Sequence, residues 1–460
     1  MVEPYDVAVI GAGVVGCAVA RELVTSGLST VILEARDDVG DGTSKANTAI
    51  LHTGFDATPG SLESRLVSRG YHLLAQYADS VGIAVERVGA VLVAWDAEQL
   101  ATLPSLAEKA SRNGYEETEL VDADAVYALV PALGPGALGG LTVPGESIID
   151  PWSTTLAFVN DALTHGAELR RGCAVTGVSR SPTAGTTLST SQGDVSARWV
   201  VNAAGLGADV IDRMFGHDRF TVVPRRGELI VFDKLARPLA PRIVLPVPTA
   251  VGKGVLVSPT IFGNVMLGPT AEELEDRTDT STSVQGVETL LEKGSRIMPD
   301  LLTEEVTALY AGLRAATEHS DYVIDIDSEA EYVCLGGIRS TGLTASLAIA
   351  EHVRGLLADA GVGLTEPSAP SAVTSVPNLG EAFPRPYQRA DLIAADPEYG
   401  RVVCFCERVT RGEVRDALGS LVPPRDLDGL RRRTRALMGR CQGFFCGAEV
   451  ERLLDEAADR

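Results

Sequence analysis

No apolar run in this chain approaches the roughly 18–20 residues that a helix needs to cross a bilayer. Positive charge is scarce too: 40 Lys and Arg stand against 62 Asp and Glu, a net charge of −22. That balance argues against nonspecific nucleic-acid binding and against an anionic membrane surface as partner. Histidine is rarer still, six in 460 residues, so few side chains compete for the role of a general base. Cysteine lacks the even, dispersed pattern of a disulfide scaffold: there are seven, and four of them crowd into the last 60 residues. Cys17, Cys173 and Cys334 lie in apolar or glycine-rich settings and read as ordinary buried thiols. A reducing cytoplasm is therefore the expected compartment. The start, Met-Val-Glu-Pro-Tyr-Asp, has no basic segment and a strand begins almost at once, so no signal peptide is expected. There is no internal repeat.

What is abundant is glycine, 47 residues, as befits a protein that brings backbone close to a cofactor. Three of these form Gly11-Ala-Gly13-Val-Val-Gly16, after the apolar run Asp6–Ile10 and before an alanine- and valine-rich helix that Gly27 closes. The next strand, Ser29–Glu34, ends in an acid 18 residues after Gly16. Gly11 permits the tight turn, Gly13 admits a pyrophosphate, Gly16 lets helix and strand pack closely, and Glu34 suits the ribose hydroxyls of FAD or NAD rather than NADP. The chain then leaves the nucleotide fold and returns to it at Val200–Gly205 and Gly336–Thr344. That course favours FAD, and the second return offers N–H groups and a helix start for a reduced flavin.

Residues 62–80 and 151–167 have helical spacing, and Val85–Ala94 reads as a hairpin or meander. Between 220 and 335 several apolar strands are broken by turns and by one helix near 283–297. Residues 363–400, rich in Pro, Ser and Ala, read as a linker or an extended wrapping segment. After them the last 60 residues carry 12 Lys and Arg against 10 Asp and Glu, a shift that marks a separate module.

That module holds Cys404-Phe-Cys406 and Cys441-Gln-Gly-Phe-Phe-Cys446, separated by 34 residues. Four thiolates so spaced select an iron–sulfur cluster or zinc over hard cations, and the usual C-x2-C pairs of structural zinc are missing. The following helix and Arg408, Arg411 and Arg440 would offset the thiolate charge. The run Arg431-Arg-Arg-Thr-Arg435 reads most simply as a solvated helix face, with docking of an acidic electron acceptor as the sharper option. His52 and His319 are the two candidate bases. His72, His165, His217 and His352 read as solvated.

The stretches Gly11–Gly16, Thr43–Gly54, Val201–Gly207 and Gly336–Thr344 resemble the D-amino-acid-oxidase-type FAD-dependent oxidoreductases. The terminal cysteine motif resembles the [2Fe-2S] module of bacterioferritin-associated ferredoxin. Together they are similar to large subunits of anaerobic glycerol-3-phosphate dehydrogenases. The resemblance implies a Rossmann-like α/β FAD-binding domain in three pieces, 1–80, 146–215 and 328–362. An antiparallel-sheet substrate domain would occupy 81–145 and 216–327, and a small helical [2Fe-2S] module 401–460. It places Ser44, Asn47, Val175, Gly205, Gly337, Arg339, Gly342, Leu343 and Thr344 about FAD with Gly11, Gly13, Gly16 and Glu34. Cys404, Cys406, Cys441 and Cys446 would hold the cluster. His52 would run beneath the flavin as base or as a packing residue, and Arg314, in Gly312-Leu-Arg314, would hold the substrate's anionic end. Arg225, Arg226 and Arg339 are further candidates for that role. The implied activity is oxidation of glycerol 3-phosphate or a related polyol phosphate. Electrons would leave through the cluster to a partner protein or quinone-linked carrier, with membrane association only through that partner. The alternatives are a dehydrogenase or oxidase of a 2-hydroxy acid such as L-2-hydroxyglutarate, or of an amino acid, and a non-catalytic electron-transfer subunit.

Overall fold

The computed structural model describes residues 4–181, 185–248, 254–369 and 376–458. Its first sheet has eight strands, with Tyr5–Ile10 and Val195–Asn202 side by side and parallel at the centre. Thr30–Glu34 and then Glu168–Arg171 extend it on one side, also in parallel. Tyr332–Gly336 pairs in parallel with the far edge of Val195–Asn202. The central strands are buried on both faces, which is why Val7–Ile10 reads as an unbroken apolar run rather than an alternating one. Helices Val14–Thr25, Leu62–Val81, Pro151–Thr164 and Gly342–Asp359 cover one face, their alanines and valines packed on Val9, Ile32 and Val201. Phe215, Phe220 and Tyr332 fill the other.

The second sheet has nine strands and is mainly antiparallel. Its long central pair is Val223–Phe232 and Val306–Ala316, in register from Val223 with Ala316 to Val231 with Ala308. The segment Val85–Ala94 is not a hairpin. Val85–Glu86 joins a small sheet with Ile50–Leu51 and Ser147–Ile149. Ala90–Ala94 instead enters the second sheet between Ile243–Pro246 and Gly139–Val143. Gly89, at φ +70°, makes the crossing; a short apolar run carries no mark of which sheet it will join.

Residues 363–369 and 376–400 wrap the molecule as a strap. Thr365 and Ser368 donate backbone N–H groups to the Ser26 and Thr25 carbonyls, Val376 to Val81, and Glu381 to Ile261. Val376, Leu379 and Arg385 of the strap are themselves buried. The chain then builds a small unit with its own core, Cys404, Val409, Val414, Leu430, Cys446 and Val450 among its members. No helix among the described residues is long and apolar enough to cross a membrane.

The basic run is corrected by the structure. Arg432, Arg433 and Arg435 are buried, not solvated. Arg433 grips both oxygens of Asp38 at 2.7 Å, and Arg432 reaches Asp38 at 2.8 Å and Asp41 at 3.1 Å. The acid that this run meets belongs to the same chain, in the loop after Glu34. His165, His217 and His352 are likewise half-buried, and only His72 of that group is exposed.

Candidate active site

The carboxyl ends of the parallel strands open into a cavity of about 340 Å³, where an α/β sheet places its ligand. Its lining includes Gly11, Gly13 and Gly16 at the first strand's end, Glu34 at the second's, Gly205 beyond Val195–Asn202 and Gly337 beyond Tyr332–Gly336. Ser44, Asn47, Val175, Arg339, Gly342 and Leu343 complete the expected set. Thr344 stands behind the wall, its hydroxyl accepting the His52 N–H at 3.0 Å.

The glycines are required by close approach. A Cβ on Gly11, at φ +103°, would lie 2.5 Å from the Ala203 carbonyl oxygen, and one on Gly16 would overlap the Gly11 carbonyl. Gly13 caps the Val14–Thr25 helix, whose first turn holds no acid, and the Val14 N–H there donates to the neutral Ser44 hydroxyl at 2.9 Å. Glu34 accepts from Ala12 N–H at 2.7 Å and Arg36 N–H at 2.8 Å; burial nevertheless raises its carboxyl above the ordinary value. The helix Gly342–Asp359 points its N-terminus at the same cavity, with no side-chain cap to satisfy its N–H groups. Such a cradle fits the adenosine diphosphate and flavin of FAD.

A larger cavity of about 510 Å³ adjoins it, the two sharing Gly42, Thr43, Asn47, Ala49 and Leu206 and the cations Arg36 and Arg277. His52 lines the smaller one. Its Nδ1 lies 2.9 Å from Oε2 of Glu146, which is fully buried, and the other Glu146 oxygen accepts from Thr53 N–H and hydroxyl. With Nδ1–H on the carboxylate, Nε2 is the basic nitrogen. Sequence reasoning missed Glu146, since nothing local in Pro144-Gly-Glu-Ser147 marks an acid that pairs 94 residues away.

His319 does not join His52: it is exposed, lies in neither lining, and its ring meets the Arg219 carbonyl. Arg339 reaches the cavity wall but spends its guanidinium on the His319 and Ser320 carbonyls. Arg225 and Arg226 are held by Glu273 and by Glu272 and Asp279. Arg314 shares a strand face with Tyr310 and Gly312, yet it too is outside both linings, because its guanidinium turns over Gly227 toward the Thr270 carbonyl, 3.3 Å away. Burial, with the charge of Arg225, pulls its pKa down.

In the C-terminal unit, no three or more His, Cys, Asp or Glu among the described residues gather closely enough for a single ion. The thiols meet instead as two pairs, Cys404 with Cys446 and Cys406 with Cys441. Burial and its neighbours push the Cys446 thiol up to about 12. Cys441 is held below its ordinary value by the N–H groups of Phe445, Gly443 and Phe444, the kind of donor that offsets thiolate charge. Arg408 and Arg440 are instead engaged by Glu381, Asp233 and Glu305, and Arg411 by Glu398. Phe405, Phe444 and Phe445, which lie between the cysteines, are 72%, 84% and 74% exposed.

Comparison with known proteins agrees with this geometry. A family model described as FAD dependent oxidoreductase matches residues 6–356. The chain belongs to that family. A second model, a BFD-like [2Fe-2S] binding domain, matches residues 402–456, so the flavoenzyme carries both FAD and [2Fe-2S] binding units. It is 33% identical to a glycerol 3-phosphate dehydrogenase of Caloramator mitchellensis over 98% of this chain and 94% of that one. It is 26% identical to a subunit of the anaerobic glycerol-3-phosphate dehydrogenase of Escherichia coli K12, over 98% and 88%. The structure of dithionite-reduced L-α-glycerophosphate oxidase from Mycoplasma pneumoniae with FAD bound superposes with a TM-score of 0.76. That pair shares 26% identity and covers 80% of this chain and 98% of the oxidase.

Proposed function

We propose that this flavoenzyme is a glycerol-3-phosphate dehydrogenase that passes its electrons through the [2Fe-2S] module to a partner protein or a quinone-linked acceptor. The observation that carries the reading is His52 in the wall of the FAD cavity, with the buried Glu146 behind it on Nδ1. Oxidising a secondary alcohol needs a base for the hydroxyl proton and a cation for the anionic group. FAD, when bound, supplies the hydride acceptor. His52 takes the proton at Nε2, and Glu146 keeps Nδ1 protonated and stabilises the imidazolium. Arg314 is the cation, its guanidinium leaving the Thr270 carbonyl for the adjoining cavity when substrate enters. Its one hydrogen bond among the described residues is to a carbonyl, and it has no carboxylate partner there, so a half-buried positive charge gains most from an arriving phosphate. Full-length similarity to two glycerol-3-phosphate dehydrogenases supports the substrate. The Escherichia coli relative is named as one subunit of its enzyme, which supports a partner, and the exposed Phe405, Phe444 and Phe445 offer that partner an apolar approach to the cluster.

Anaerobic stopped flow tests the reading with glycerol 3-phosphate, L-2-hydroxyglutarate, lactate and a panel of amino acids. Glycerol 3-phosphate is expected to bleach the flavin. Arg314→Ala should weaken its binding by about 1.5–3 kcal/mol, roughly a ten- to hundred-fold rise in dissociation constant. Bleaching by an amino acid alone would overturn the assignment.

A further inference from the structure

The larger cavity is bounded by two units of the chain. Asp428, Arg431, Arg432 and Arg435 reach it from the Leu427–Thr434 helix and its C-cap, and Gln442 from the loop between Cys441 and Cys446. Gln442 donates its amide to the Thr307 carbonyl at 2.6 Å, on the strand that carries Tyr310 and Gly312 into the cavity wall. A loop bearing two cluster thiols therefore touches the strand that floors the cavity.

The wall is cationic in a strongly acidic protein. Arg36 and Lys45 line it from the loop after Glu34, Arg277 from the segment after the second sheet's Glu272–Glu273 strand, and Arg431, Arg432 and Arg435 from the module. Two carboxylates, Asp41 and Asp428, face them among the described residues. The partners of Arg277, Arg432 and Arg435, namely Asp209, Asp38 and Glu407, are buried behind the wall. Arg431 differs. Its partner is the half-exposed Asp428, 3.0 Å away on the same helix, and such a pair is weak in water.

We propose that the C-terminal module is a wall of the substrate site, and that Arg431 on this wall draws the anionic substrate inward. The inference rests on the reading above that the substrate carries a phosphate. An acidic chain repels an anion at long range, so entry depends on cations at the cavity itself. The FAD cavity needs no such help from the module, since no residue beyond Leu343 lines it among the described residues. Substrate recognition and electron exit thus share one unit.

The test uses the full-length flavoprotein with Arg431→Ala and Arg431→Glu, at a half-exposed position whose change leaves the core intact. Flavin reduction is followed against glycerol 3-phosphate concentration at low and high salt. The apparent dissociation constant should rise about threefold for Ala and about tenfold for Glu at low salt. The difference should fade as salt screens the charge, with the loss in the dissociation constant rather than in the limiting rate. Identical titrations of wild type and Arg431→Glu at low salt would overturn the proposal. If glycerol 3-phosphate leaves the wild-type flavin oxidised, the proposed function fails instead. The same titration with whichever anion does bleach it then decides the module's role.

Discussion

Glu146 divides its oxygens between two tasks, one accepting from Thr53 and the other facing His52 Nδ1. This makes Glu146→Gln a sharper probe of the base than His52→Ala. The Thr53 backbone N–H can only donate, so the glutamine oxygen must take that side and its NH2 must face Nδ1. The imidazole is then forced to carry its proton on Nε2, the nitrogen that should receive the substrate's proton, a wrong-tautomer effect. Flavin reduction at saturating substrate should fall by about a hundred-fold or more, as for loss of a general base. FAD should stay bound, because Glu146 is not in its cavity wall. A near-wild-type reduction rate in Glu146→Gln would show that His52 only packs against the flavin.

The helix Leu427–Thr434 and the loop after Glu34 meet through Asp38, Arg432 and Arg433, all buried. Burial alone would raise the Asp38 carboxyl, but hydrogen bonds and charge from Arg433 and Arg432 outweigh it and hold it below the usual range. A depressed carboxyl stabilises the folded state above its unfolded pKa of about 3.9, and that contribution is lost as pH falls through the lower folded value. Melting temperature should therefore drop more between about pH 5 and pH 3 in wild type than in Asp38→Asn. Equal pH dependence in the two would remove Asp38 from the docking account. At neutral pH the variant should lose about 3 kcal/mol, since the buried Arg433 guanidinium is left without a carboxylate while Arg432 keeps Asp41. The same contact shows where the sequence was legible. The Gly11–Gly16 turn, Glu34 and the cysteine pairs are local patterns, each with its chemistry inside one short segment. The pairing of Arg433 with Asp38 spans 395 residues, and His52 with Glu146 spans 94, so no window of sequence contains both partners. A run of arginines looks solvated until its counter-charges are found. His319 misled for the matching reason: a histidine near Arg314 in sequence can still lie at a strand's exposed end.

For the whole molecule, the two cavities respond differently to loss of the cluster. Cys404 and Cys446 are core residues of the C-terminal unit as well as candidate ligands. Cys404→Ser should remove iron and acid-labile sulfide and loosen that core, while FAD remains, because its lining draws on no residue of the module among those described. Substrate should still reduce the flavin, but transfer to the natural acceptor should fail. A flavoprotein with an independent module on a loose tether would otherwise keep its substrate affinity. Here the strap is pinned at Ser26, Val81 and Ile261, and Gln442 and Arg435 sit in the cavity wall, so the apparent dissociation constant for glycerol 3-phosphate should rise several-fold along with the loss of iron. Metal analysis after anaerobic purification, paired with stopped-flow titration, reads both effects on one sample. One zinc per chain and no iron in the wild type would refute the cluster. Unchanged substrate affinity in an iron-free Cys404→Ser protein would mean that the module's fold, and with it the cavity wall, stands without its metal centre.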